Sequence, residues 1–249
     1  MVPDSTVRIG LVLPEVLGTY GDSGNAEVLR KRLQWRGFEA ETVCVRLGDP
    51  VPSGLDVYVL GGGEDDAQAL AAAHLRKHPG LQRAAAFGAV IFGVCAGLQV
   101  LGSKFRGTDG VVHEGLGLID AITEPGDRRA VGELVTTPED LLAGEPLTGF
   151  ENHLGQTTLG PSAKPLGRVV RGTGNGDHTE GAVSGKVVAT YLHGPVLARN
   201  PALADLLLSR LVGHALPPLD LAEVDHLRAE RLGFRRSDRD RGARARFWR

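Results

Sequence analysis

The chain carries only two cysteines in 249 residues, Cys44 and Cys95, too few for a disulfide framework. No stretch approaches the roughly 18–20 consecutive apolar residues that a membrane-spanning helix needs. The N-terminus, MVPDSTVRIGLVLPEV, lacks the basic start and small-residue cleavage site of a secretory signal, so the expected compartment is the cytoplasm. There is no Gly-x-x-x-x-Gly-Lys-Ser/Thr, which excludes a P-loop. Neither histidines nor cysteines show the paired short spacing of metal ligands, and no metal is expected. A formal net charge of -2 speaks against a nucleic-acid protein. The local exception is the arginine-rich tail FRRSDRDRGARARFWR (234–249), read as a solvated appendage in which Phe247 and Trp248 are available as anchors on a partner. With no linker or internal repeat, residues 1–233 read as one large α/β domain.

Apolar strand-like runs alternate with helical patterns over the first hundred residues. VRIGLVLPE (7–15), ETVCVRL (41–47), LDVYVLGGG (55–63) and AVIFGVC (89–95) read as strands. Helices are expected over 26–35, over 64–86 with a break near HPG, and from AGLQVLGSKF after the fourth strand. That rhythm predicts one open, mostly parallel sheet covered by helices on both faces. From about Val111 shorter strands follow, read as antiparallel additions to the same sheet. Asn200 and Pro201 mark the N-cap and first position of a C-terminal helix, with a further helix expected over 220–232. Cys44, in the second strand, reads as a core residue, since free cysteine is among the most buried types.

Cys95 reads differently. In Gly93-Val94-Cys95-Ala96-Gly97 it sits between two glycines, at the passage from an apolar strand to an amphipathic helix. This is the shape of the Gly-x-Ser-x-Gly nucleophile elbow, where a sharp turn leaves no room for side chains on either flank. The helix start favours a thiolate there. A thiol nucleophile needs a base, and His193, at the end of the strand-like KVVATYLHG, lies where parallel sheets place their sites. His74, His78, His214 and His226 fall in helices expected to be solvated. Backbone N–H groups of Gly61, Gly62 and Gly63, with that of Ala96, are candidate donors to an oxyanion.

Together these parts resemble the class I glutamine amidotransferases. GGGEDDAQ, GVCAGLQVLG, GFENHLGQT and YLHGP are similar to the cobyric-acid-synthase-like branch, and GFENHLGQT with GTGNGDHTEGA is most similar to the GatD-type glutaminase subunits of lipid II isoglutaminyl synthase. The resemblance runs from about Val7 to Leu211. It implies L-glutamine as substrate, Cys95 as nucleophile, His193 as base, and Arg129 of DRRAVGEL as the residue gripping glutamine, with Arg128 as the alternative. It implies no cofactor in this chain. ATP and magnesium are expected on a Mur-ligase-like, MurT-type partner that amidates the D-glutamate of lipid II, the complex holding the protein near the inner membrane face. Another acceptor, such as a corrinoid or nucleotide precursor, or a silent glutamine-sensing relative, are the competing expectations. One departure stands out. Many class I members place a glutamate two residues after the histidine, and here that position is Pro195. The orienting carboxylate must then come from elsewhere in the chain, be absent, or be supplied by the partner, which is the expectation favoured. Glu151 and His153 of FENH are candidates to face the pocket.

Overall fold

The computed structural model describes residues 6–138, 142, 144–219 and 221–230. It divides into two units, Met1–Leu216 and Pro217–Arg249. In the second, residues 222–230 are helical, inside the expected 220–232, while the arginine-rich tail lies outside the described residues.

In chain order the first unit runs β1 (Val7–Val12), α1 (Gly24–Gln34), β2 (Ala40–Val45), β3 (Val57–Leu60), α2 (Asp65–Lys77), α3 (Gly80–Ala86), β4 (Val90–Val94) and α4 (Ala96–Leu101). There follow β5 (Lys104–Arg106), β6 (Val112–Glu114), β7 (Ala121–Pro138), β8 (Leu147–Leu159), β9 (Gly167–Arg171), β10 (Thr179–Glu180), β11 (Ala182–Ser184) and β12 (Val187–Thr190). The short α5 (Val196–Arg199) and α6 (Pro201–Val212) complete it.

One sheet has the order β11-β12-β4-β3-β1-β2, parallel except at β11. Its centre explains the apolar runs: every residue of β3, β4 and β12 is buried, as central parallel strands covered on both faces must be. The antiparallel additions are present, but only β11 joins this sheet. The others form a second sheet, β10-β9-β7-β5-β6, with β8 paired to the long β7. The two sheets meet where Phe150 and His193 exchange backbone hydrogen bonds, His193 N–H to Phe150 O at 2.8 Å.

Local punctuation follows sterics. The helix expected over 64–86 breaks at His78 and Pro79 and resumes at Gly80, where a Cβ would stand 1.7 Å from the Val51 carbonyl oxygen. α4 stops at Leu101, short of its expected end, and the chain turns into β5. Pro201 opens α6 and Asn200 holds its N-cap position, but the Asn200 side chain does not cap the helix. It bridges instead to β8, accepting Thr148 N–H at 2.9 Å and donating to Thr148 O at 2.8 Å. The expectation for Cys44 is corrected: it is exposed. Its strand, β2, is the outermost of the first sheet, and residues 41, 42 and 44 stay open to solvent.

Candidate active site

The four strand ends β1, β3, β4 and β12 deliver their following residues to one place. A pocket there is lined by Thr19, Tyr20, Gly63, Gln68, Cys95, Gln99, Arg129, Asn152, His153 and His193, among others. This is the crevice beyond the carboxyl ends of parallel strands where open α/β sheets put ligands.

Cys95 occupies the elbow with φ 52° and ψ -105°, a region that residues with a side chain rarely adopt. Its N–H is donated to Thr190 O at 2.8 Å, which ties the elbow to the neighbouring β12. The flanking glycines are sterically required. A Cβ on Gly93 would stand 2.6 Å from Leu101 and 3.0 Å from the Gly97 backbone, and one on Gly97 would stand 2.8 Å from the Leu60 oxygen.

His193 is buried, 1% exposed. Its Nδ1 faces Asp22 Oδ2 at 2.8 Å. Asp22 also accepts Gly62 N–H at 2.9 Å and Gly194 N–H at 3.3 Å. Nδ1 therefore carries the hydrogen, and Cys95, which lines the same pocket, is the group that acts on the ring beside Asp22. Nε2 has no hydrogen-bond partner of good geometry, so it is available for proton transfer. Burial is the largest influence on this ring and lowers its pKa. Asp22 and Cys95 outweigh it, and the pKa is pushed up to about 10. An imidazolium held so stabilises a thiolate beside it and is ready to give up a proton.

The orienting carboxylate is thus in the chain itself. This corrects the expectation that a partner supplies it. Asp22 lies in the glycine- and serine-rich turn GTYGDSGN, which carried no mark beyond its place after the first strand. Pro195, in the place of the missing glutamate, has a packing role: a Cβ on Gly24 would stand 2.5 Å from its Cγ, so the start of α1 lies against it.

The glycine triplet is also corrected in part. Gly62 N–H is donated to Asp22, so it is not free for an oxyanion, and neither Gly61 nor Gly62 lines the pocket. Both are glycine for closeness, since added Cβ atoms would stand 2.3 Å from Leu17 O and 2.6 Å from His193 Cε1 respectively. Gly63 lines the pocket beside Cys95, and Ala96 is the first residue of α4, whose opening N–H groups have no carbonyl one turn back.

Of the two arginines, Arg129 lines the pocket and Arg128 does not. Arg129 Nη1 donates to Asn152 Oδ1 at 2.9 Å. Glu151 and His153 part ways. His153 lines the pocket, its ring stacked on Tyr191 at 3.8 Å. Glu151 reaches instead to the turn after β9, accepting Thr173 N–H at 2.8 Å and Gly174 N–H at 3.0 Å, with His153 Nε2 3.4 Å from its Oε2. Burial raises the pKa of Glu151, but His153 and those two N–H groups outweigh it and hold it below the ordinary value. This contact explains why FENH and GTGNG occur in one chain: the first grips the second. Behind the elbow lies Glu180, fully buried, accepting Thr190 O–H at 2.8 Å and Tyr191 N–H at 2.7 Å. Burial pushes its pKa up to about 7 against the pull of those bonds. The floor is closed by Gln99, which donates to Tyr191 Oη at 3.1 Å and accepts from Gln68 at 2.6 Å.

The CobB/CobQ-like glutamine amidotransferase domain matches residues 8–201. The chain belongs to that family. The GatD subunit of lipid II isoglutaminyl synthase (glutamine-hydrolyzing) from Staphylococcus aureus strain N315 is 32% identical over 93% of this chain and 96% of its own length. The GatD subunit from Streptococcus pneumoniae strain R6 is 34% identical over 80% of this chain and 77% of its own. A crystal structure of a glutamine amidotransferase, 23% identical, superimposes with a TM-score of 0.56 over 82% of this chain and 98% of that one, which shows the shared fold. The open, helix-flanked and largely parallel sheet is therefore the fold of this glutamine amidotransferase. Among the described residues, no helix is long and apolar enough to cross a membrane.

Proposed function

We propose that this amidotransferase is the glutaminase subunit of a lipid II isoglutaminyl synthase, hydrolysing L-glutamine at Cys95 and His193 and passing ammonia to a second subunit. The observation that carries the reading is the match to the staphylococcal GatD subunit over nearly the whole of both chains. The partner is of the Mur-ligase-like MurT type. It binds ATP and magnesium and activates the D-glutamate carboxylate of lipid II for amidation to D-isoglutamine.

The parts support the following chemistry. The Cys95 thiolate adds to the side-chain carboxamide carbon of glutamine. The oxyanion lies against the N–H groups of Gly63 and Ala96. The His193 imidazolium donates its Nε2 proton to the departing nitrogen, ammonia leaves, and a glutamyl thioester remains on Cys95. Neutral His193 then takes a proton from water, whose hydroxide attacks the thioester. Glutamate departs and the thiolate–imidazolium pair is restored. Asp22 keeps the hydrogen on Nδ1 throughout, so that Nε2 alone exchanges protons with the substrate. Arg129, at the pocket edge, suits a bidentate grip on the α-carboxylate.

The test is release of ammonia and glutamate from glutamine by the chain co-purified with its synthetase, wild type beside Cys95→Ala. Release by the wild type and none by the variant is expected. Equal release by both chains, or none by either, overturns the reading.

A further inference from the structure

Two residues outside the proposed hydrolysis, Asn152 and Tyr20, join Arg129 to His193 across the pocket. Arg129 Nη1 donates to Asn152 Oδ1 at 2.9 Å. Asn152 Nδ2 donates in turn to the Tyr20 hydroxyl. The Tyr20 ring meets the His193 imidazole edge-on, with centroids 4.8 Å apart and planes at 63°. Its other neighbour is Phe150, at 6.1 Å.

Tyr20 is held in this position. Its φ of 57° is uncommon for a bulky residue and is kept only where the surroundings insist on it. Two backbone bonds hold the turn: Thr19 N–H is bonded to Gly62 O, and Asp22 N–H to Thr19 O, both at 3.2 Å. Thr19, just before Tyr20, is thereby tied to the glycine loop and to the backbone of Asp22, whose carboxylate orients His193. Yet Tyr20 is 48% exposed, so a bulky aromatic stands at the surface directly over a histidine that is 1% exposed. Core packing does not account for that placement. Shielding the Cys–His pair does.

Asn152 supplies the other half. Arginine is a long side chain with several free torsions, and ordering it beforehand lowers the cost of gripping a carboxylate. A hydrogen bond from its Nη1 to an amide that is itself anchored on Tyr20 fixes the plane of the guanidinium.

From this geometry we infer that Tyr20 and Asn152 are positioning residues that link the substrate grip at Arg129 to the protection of His193. The ring of Tyr20 covers the Cys95–His193 pair, and its hydroxyl, through Asn152, presets Arg129. The inference rests on the proposed function for its substrate, glutamine, but the shield stands apart from it.

The experiment separates the two. In a Cys44→Ser background, which leaves Cys95 as the one thiol of this chain, wild type, Tyr20→Phe, Tyr20→Ala and Asn152→Ala are prepared with the co-purified synthetase. Glutamine KM and kcat are measured, and separately the rate of Cys95 alkylation by iodoacetamide. Tyr20→Phe keeps the ring and loses the hydroxyl, so KM rises roughly 3- to 10-fold with kcat and alkylation unchanged. Asn152→Ala does the same. Tyr20→Ala loses both functions: KM rises and alkylation accelerates roughly threefold or more as the thiol becomes accessible. A merely structural role would instead lower stability in all three variants without this division of effects. Equal alkylation in wild type and Tyr20→Ala overturns the shield, and an unchanged KM in Asn152→Ala overturns the link. A wild type inert toward glutamine, together with faster alkylation in Tyr20→Ala, would sink the proposed function and leave the shield standing.

Discussion

Replacing Asp22 by asparagine tests the claim that the chain orients its own histidine. The Asp22 carboxylate is fully buried and all its bonds are as an acceptor: His193 Nδ1–H at 2.8 Å, Gly62 N–H at 2.9 Å and Gly194 N–H at 3.3 Å. Asparagine has one oxygen and one NH2 in the same space. With its oxygen toward His193 and Gly62, the NH2 opposes the Gly194 N–H; turned over, it opposes two donors. Neither orientation restores the charge. In the wild type, burial lowers the His193 pKa while Asp22 and Cys95 raise it to about 10. Without Asp22, burial faces Cys95 alone and the pKa falls toward or below the ordinary 6.5. A hydrogen bond to a charged group contributes about 1.5–3 kcal/mol, about one to two powers of ten in rate. Loss of tautomer control adds to this, so kcat should fall roughly 10²- to 10⁴-fold. The stability consequence has a definite sign. A histidine with a raised folded pKa stabilises the fold fully below 6.5, and that contribution is lost as pH climbs through about 10. Wild type should therefore lose stability across this window more steeply than Asp22→Asn. Initial glutaminase rates and thermal melting over the same pH series read both. A variant that keeps kcat within about threefold of wild type would refute the argument and return the orienting role to a partner.

Two further outcomes follow from the elbow and what lies behind it. Glu180 has its folded pKa raised to about 7 from 4.5, so its contribution to stability falls as pH rises between those values, by about 3 kcal/mol in all. Glu180→Gln keeps an oxygen for Tyr191 N–H and Thr190 O–H and removes the titration; above pH 7 it should be the more stable protein, with the advantage gone near pH 4.5, and parallel urea-denaturation profiles would contradict this. In Gly97→Ala the new Cβ stands 2.8 Å from the Leu60 oxygen and 3.0 Å from Leu60 Cβ, neither a flexible side-chain end. The cost is about 1–3 kcal/mol, or a melting temperature lower by roughly 3–10 °C, and an unchanged melting temperature would show that the elbow has more room than its distances imply.

What the sequence made legible was governed by neighbours in the chain; what it hid was governed by partners far along it. β3 and β4 could be read because central parallel strands must be apolar on both faces, and Cys95 because the elbow's steric demand falls on residues two positions away. Cys44 was misjudged because its exposure depends on β2 being outermost, a matter of strand order. Glu151 and His153, two apart on β8, share one face of the strand, and only the distant N–H groups of Thr173 and Gly174 draw the Glu151 carboxylate away from the pocket. Gly62 was read as an oxyanion donor because a glycine in sequence does not say whether its N–H or its missing Cβ is the reason for it.

Asp22 is the deepest case, 171 residues from the histidine it orients. Its signal was indirect and sat at Pro195. A proline in the glutamate's place looks like a missing part. In the fold it packs against Gly24, which has no Cβ to hold it away, and that contact brings the start of α1 up to the segment carrying His193. Leu197 N–H then bonds to Asn25 Oδ1 at 2.9 Å and fixes the approach. Asp22 lies two residues before α1, so the packing that removes one carboxylate from beside the histidine delivers another to it. A substitution at the third position of a triad is therefore better read as a question about which helix now packs there than as evidence of a broken site.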